Sequence, residues 1–267
     1  MCVGKRGPSV DAKAWDEIST DYLSHIVSPF DSGTVNPLFR QLLSIDGIRD
    51  KTVADLGCGV GTLLPFLSQN FGRVVAIDFS SGMLRQARRA AAFPNVTFSE
   101  ADMTDLSRFR MHFDITVAVN SILVPSVRAV NRILRQIRLT LKPGGRFLGV
   151  FPAMDSIIYY SMLVLERESA ASRSEAAAIR RAMKVCERRK YDFLLGLFTD
   201  DDGGRQKHYY GFELRHRLRN AGFTNVRLRK VQYPWDEKVS GFDCFPGQPK
   251  LWDWLACAET PERPSQP

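Results

Sequence analysis

The stretch Thr52–Phe66, TVADLGCGVGTLLPF, sets three glycines into five positions directly behind an acidic residue. An apolar run ending at Leu56 reads as a strand, and the residues after the glycines read as a helix. A glycine-rich turn between the two lets main chain come close to a ligand, and a helix N-terminus favours negative charge, so a nucleotide-like ligand is expected. The dinucleotide fingerprint is Gly-x-Gly-x-x-Gly, whose last small residue would fall at Thr62. Here the glycines are Gly57, Gly59 and Gly61. Asp55 adds a carboxylate two residues ahead of Gly57, which would repel a pyrophosphate and welcome a cation. The stretch therefore predicts an adenosine ligand without phosphates.

Along the rest of the chain, strand and helix patterns alternate. Arg73–Ile77 (RVVAI), Val96–Phe98, Asp114–Val119 (DITVAV) and Arg146–Phe151 (RFLGVF), the last after the turn signal KPGG, read as strands separated by helical periodicity. Such alternation predicts a parallel sheet covered on both faces, with the ligand at the carboxyl ends of its strands. From about Ser156 to Lys190 the composition turns to Ala, Glu and Arg, predicting a helical insertion. GFELRHRLRNAGF then reads as a helix stopped by Gly222, TNVRLRKVQYPW as a strand, and KLWDWLACA as a final antiparallel strand. The predicted organisation is an N-terminal helical segment (1–50), a ligand-binding core (51–155), an insertion (156–205), the C-terminal part of the sheet (206–259) and a polar tail (260–267) expected to be disordered.

Composition sets outer bounds. The chain has 267 residues, 44% of them hydrophobic, enough for a sizeable core. Five scattered cysteines, with no C-x-x-C pair, indicate neither a disulfide framework nor a zinc site, and Cys58 reads as a small packing residue. The N-terminus lacks the apolar run of a secretory signal and no window suits a membrane span, so a cytoplasmic protein without membrane contact is expected. The net charge of +8 permits contact with nucleic acid, but the basic residues are spread over several helices and read as a solvated surface.

VADLGCGVGTLLPFL resembles motif I of the class I S-adenosylmethionine-dependent methyltransferases, an acidic residue followed by Gly-x-Gly-x-Gly. VVAIDFSSGMLRQAR, VTFSEADMTDL, FDITVAVNSI, LKPGGRFLGVF and LRNAGFTNVRL are similar to the family's later segments, in the right order from about Val53 to Leu228. The resemblance implies a Rossmann-like, seven-stranded, mostly parallel α/β sheet with helices on both faces, the last strand antiparallel, plus an N-terminal helical lid and a helical insertion after the fifth strand. It implies S-adenosyl-L-methionine as cofactor. Gly57, Gly59 and Gly61 would pass under its methionine portion with Asp55 near the ammonium. Asp78 would accept both ribose hydroxyls, a pairing for which a carboxylate is suited. Phe79 and Met83 would lie against adenine, Asp102 and the Met103 N–H would meet its edge, and Asn120 and Ser121 would close the site beneath the methyl.

A sulfonium methyl is already activated, so transfer needs mainly a nucleophile held in line about 3 Å away. Where a general base is required, histidine titrates in the useful range. His216 lies in an Arg-rich helix and His112 at the amino end of the fourth strand, leaving His25 and His208 as candidate bases. Trp15 and Tyr22 in the N-terminal segment, with Tyr209 and Tyr210 after the insertion, are the candidate aromatic walls of an acceptor pocket. They point to a small organic acceptor. The Pro-Pro-aromatic motif of many amino-methylating enzymes is absent, since NSILVP stands at that position. An RNA acceptor and a non-methylating S-adenosylmethionine-binding protein are the alternatives. The acidic run TDDDGG (Thr199–Gly204) reads as a flexible turn, and no metal site is expected.

Overall fold

The computed structural model describes residues 15–16, 19, 28–187, 190–199, 203–236 and 243–262. Five parallel strands come first: β1 (Thr52–Leu56), β2 (Arg73–Asp78), β3 (Val96–Glu100), β4 (Phe113–Val119) and β5 (Leu141–Pro152). Two further strands, β9 (Thr224–Gln232) and β10 (Trp252–Glu259), complete a seven-stranded sheet in the order β3-β2-β1-β4-β5-β10-β9. β10 runs antiparallel to both of its neighbours. This is the predicted sheet, with the expected antiparallel last strand.

Alternation along each strand explains the layers. Val53, Val74, Ala76, Ile115, Val117, Leu148 and Val150 share one core with helices α1 (Leu38–Leu43), α2 (Leu64–Asn70), α3 (Ser81–Ala90) and α5 (Met154–Ala170). The intervening Ala54, Leu56, Ile77, Ala118, Phe147 and Phe151 pack on the opposite face under α4 (Val127–Thr140) and α7 (Gly211–Asn220). Strands buried on both faces read as nearly unbroken apolar runs, and these do. In α4, Val130, Ile133, Leu134 and Ile137 form the buried stripe, and the Ser126 hydroxyl caps it by accepting the Ala129 N–H at 3.3 Å.

β1 is flanked by β2 on one side and β4 on the other, both parallel to it. Chain order reverses there, so a crevice opens beyond the carboxyl ends of these strands.

The insertion departs from expectation. Two helices, α5 and α6 (Glu175–Glu187), are followed by an antiparallel three-stranded sheet of β6 (Tyr191–Asp192), β7 (Leu197–Thr199) and β8 (Arg205–Lys207). Strands this short carry too few residues for a period of two to register. KPGG also falls within the bounds of β5, where the pairing with β4 jumps from Phe113↔Leu141 to Ile115↔Arg146. Gly222 ends α7 as expected, with φ of +91°.

Candidate active site

A cleft of about 1000 Å³, counting its open mouth, sits at the carboxyl ends of β1 to β4. Its floor is the turn after β1. The Gly57 and Cys58 N–H groups both donate to the Ile77 carbonyl, at 2.7 and 3.0 Å, folding the turn over the end of β2. Gly57 has φ of +68°, and a Cβ there would lie 2.4 Å from the Ser121 Cβ. Only glycine fits. Gly59 lines the cleft beside it.

Gly61 serves a different purpose from the one expected. It is not among the cleft-lining residues, and a Cβ would meet Leu64 Cδ1 at 3.0 Å and Ala87 Cβ at 3.2 Å. Its bareness lets the turn pack on α3, the role that the dinucleotide spacing would have given to Thr62. Asp55 is likewise withdrawn. It is 3% exposed beneath the turn, outside the lining, and its carboxyl is pushed up to about 7 by burial and then by the Asp78 charge.

Asp78, at the end of β2, does line the cleft. Its Oδ2 accepts the Gly59 N–H and its Oδ1 the Ser80 N–H, each at 2.9 Å. Burial raises its pKa, while these main-chain donors work against the rise. Each oxygen has a second acceptor site, so two donors from a ligand can still be taken. Capping of α3 falls to Ser80, whose hydroxyl accepts the Met83 N–H at 3.0 Å. Phe79 and Met83 stand beside Asp78 in the lining.

Opposite them, Asp102 and Met103 follow β3 and line the cleft; Asp102 Oδ1 accepts the Thr104 N–H at 2.7 Å. Asn120 and Ser121 follow β4. The Ser121 hydroxyl donates to the Leu56 carbonyl at 2.8 Å, tying the ends of β1 and β4 together. Asn120 is held at φ of +47°, with its Nδ2 donating to buried Asp253 at 3.3 Å. That bond fixes which way the amide points, and the buried Oδ1 is left without a partner.

Other expectations fail at this level. His208 is fully buried, packed at 5.4 Å from Tyr191 and 6.0 Å from Phe198, and burial lowers its pKa to about 4. Sealed in the core and outside the lining, it cannot reach an acceptor in the cleft to take its proton. Tyr209 is also fully buried, its hydroxyl donating to the Ile122 carbonyl at 2.8 Å in the core. Tyr210 stacks on Phe212 at 5.1 Å and bonds the Phe193 carbonyl, outside the lining. His25 and Tyr22 lie outside the described residues, as do positions 200–202 of the acidic run. Trp15 does line the cleft, and neighbouring Asp16 accepts the Gly82 N–H at 2.7 Å and the Ser80 hydroxyl, docking this segment on the start of α3.

Sequence reasoning missed Asp16, the apolar wall of Leu123, Val124 and Ile133, and Gln206 from β8. Ile133 could have been found from the stripe of α4; a lone Asp or Gln carries no local signal. Among the described residues no cluster of three metal-ligating side chains occurs, and no helix is long and apolar enough to cross a membrane.

The cleft fits the implied nucleoside. A bare-backbone cradle, a carboxylate with spare acceptor sites and an orphaned amide oxygen suit a methionine chain, a ribose and a cationic amine respectively. The fold is that of solved S-adenosylmethionine-dependent methyltransferases, and the site resembles theirs in its glycine turn and strand-end carboxylate. Residues 53–145 match the family model described as a methyltransferase domain. The demethylmenaquinone methyltransferase of Clavibacter sepedonicus is 35% identical over 105 residues, 38% of this chain and 41% of that protein. A cypemycin N-terminal methyltransferase of Streptomyces is 30% identical over 137 residues, 51% of this chain and 55% of that protein. The chain thus matches between 29% and 55% of the length of the curated relatives. Among solved structures, a SAM-dependent methyltransferase of Methanosarcina mazei superposes with a TM-score of 0.58 at 20% identity, covering 86% of this chain and 99% of that one.

Proposed function

We propose that the chain moves a methyl group from S-adenosylmethionine to a small organic acceptor by in-line displacement. The observation that carries this reading is the meeting of the Gly57–Gly59 main chain, the Asp78 carboxylate and Asn120, whose amide oxygen is unpaired, in one cleft that also has an apolar wall of Leu123, Val124 and Ile133. When bound, the cofactor supplies a methyl group on a positively charged sulfur, electrophilic without further activation.

The protein's share is placement. Main chain at Gly57 and Gly59 offers close approach, Asp78 fixes the ribose by two charge-assisted bonds, and Asn120 Oδ1 receives a proton of the ammonium. Phe79 and Met83 on one side and Met103 on the other offer flat or polarizable surface to adenine. Trp15, docked through Asp16, covers the mouth and keeps water out. Leu123, Val124 and Ile133 hold the acceptor's apolar body. With reacting atoms held in line, proximity alone accounts for most of the acceleration.

Incubating the protein with isotopically methyl-labelled donor and, in parallel, a metabolite extract and total RNA tests this. Label in a low-molecular-weight product supports the reading. Label confined to RNA supports the second reading, which rests on the net charge of +8. Label in no fraction contradicts both.

A further inference from the structure

Gln206 lies in β8 of the inserted sheet, paired with Phe198, yet its side chain reaches the cleft. It is 2% exposed, and its Oε1 has no hydrogen-bonding partner. Buried amide oxygens are almost always satisfied, because leaving one unpaired forfeits its bond to water. The main chain around it is pinned. The Lys207 N–H donates to the Leu123 carbonyl at 2.8 Å, joining β8 to the segment after β4. The Lys207 ammonium is held by the Leu195 and His208 carbonyls and by Glu213, at 2.9, 3.0 and 3.0 Å. Gln206 is therefore presented from a pinned element to a cleft that Leu123, Val124 and Ile133 also line.

The cofactor-binding groups come from the turn after β1, from β2 and from the segments after β3 and β4. The insertion contributes none of them, so a polar group that it alone delivers is suited to the acceptor. We infer that Gln206 selects the acceptor: its carboxamide oxygen takes a hydrogen bond from a neutral hydroxyl or amide N–H on an otherwise apolar molecule. This rests on the methyltransferase reading above. Neutrality follows from the setting, since a charge among apolar walls needs a partner. Asp78 and Asp102, the carboxylates that line the cleft, add repulsion against an acidic acceptor.

The test uses the whole protein saturated with S-adenosylhomocysteine and titrated calorimetrically with phenol, benzamide, toluene, benzoate and benzylammonium. Phenol or benzamide should bind about tenfold tighter than toluene, the size of one satisfied buried hydrogen bond. Benzoate and benzylammonium should bind more weakly than phenol. Gln206→Leu should erase the preference over toluene and keep wild-type affinity for S-adenosylhomocysteine. A preference that survives in Gln206→Leu, tighter binding of either ion, or loss of S-adenosylhomocysteine affinity in the variant would overturn the assignment; the last would put the amide on the cofactor. If Gln206→Leu does not fold, the ¹⁵N side-chain signal of Gln206 in the wild-type protein decides, moving with phenol but not with toluene. Should the wild-type protein not bind S-adenosylhomocysteine at all, the methyltransferase reading falls by itself, and the same probes without it still judge Gln206.

Discussion

Replacing Gly57 by alanine separates a glycine that serves a ligand from one that merely turns the chain. Two costs can be worked out from the structure. At φ of +68° an L-residue sits in left-handed territory, costing about 1–2 kcal/mol. The new methyl would also stand 2.4 Å from the Ser121 Cβ, where carbon contacts need about 3.5–4.0 Å, so Ser121 must move by more than an ångström. That movement breaks its 2.8 Å bond to the Leu56 carbonyl, which contributes about 1 kcal/mol. The sum is about 2–3 kcal/mol of folding stability. Gly47 is the control: its φ is +61°, but nothing lies within 4 Å of its missing Cβ, so Gly47→Ala should lose the backbone cost alone. Urea unfolding of both variants reads the difference, and calorimetry with S-adenosylhomocysteine should find binding impaired only in Gly57→Ala. Adding Ser121→Gly to Gly57→Ala should recover the steric part of the lost stability. Equal losses at the two positions, or unimpaired binding in Gly57→Ala, would refute the cradle.

Two pH dependences follow from buried groups. The Asp55 pKa of about 7, against an ordinary 3.8, means that the unfolded chain gives up this proton while the native protein keeps it; stability declines as pH rises between those values, by up to about 4 kcal/mol. Asp55→Asn should therefore be more stable than wild type in urea at pH 8 and nearly equal to it at pH 4, and equal gains at both would contradict the buried carboxyl. His208, lowered from 6.5 to about 4, works in the other direction: below pH 6.5 the unfolded chain takes up a proton that the native imidazole refuses, at a cost of about 3 kcal/mol by pH 4. His208→Phe should remove that acid-side loss and leave the pH profile of methyl transfer unaltered; a changed profile would restore His208 as a base.

The sheet was legible because its signals are local. Apolar runs such as VVAI and ITVAV, with glycine turns between strand and helix, mark strand ends within a few residues, and the ordered motifs carry Gly57, Gly59, Asp78, Phe79, Met83, Asp102, Met103, Asn120 and Ser121 to one cleft. What failed depended on tertiary placement. His208, Tyr209 and Tyr210 are consecutive, yet the first two are sealed in the core and the third is half-buried at its edge, outside the cleft, a division that no sequence period encodes. Gly61 looked like its neighbours until the position of Ala87 gave it a packing role. Gln206 was invisible for a related reason: a three-residue strand has no pattern, and its value comes from the Leu123 carbonyl that anchors the next residue.

A crystal structure grown with S-adenosylhomocysteine would show how the cleft holds this compound. The ribose hydroxyls should lie within about 3 Å of the Asp78 oxygens and the amino-acid chain over Gly57 and Gly59, with its amine near Asn120 Oδ1. Density for the compound elsewhere, or a cleft that stays empty at saturating concentration, would contradict this placement.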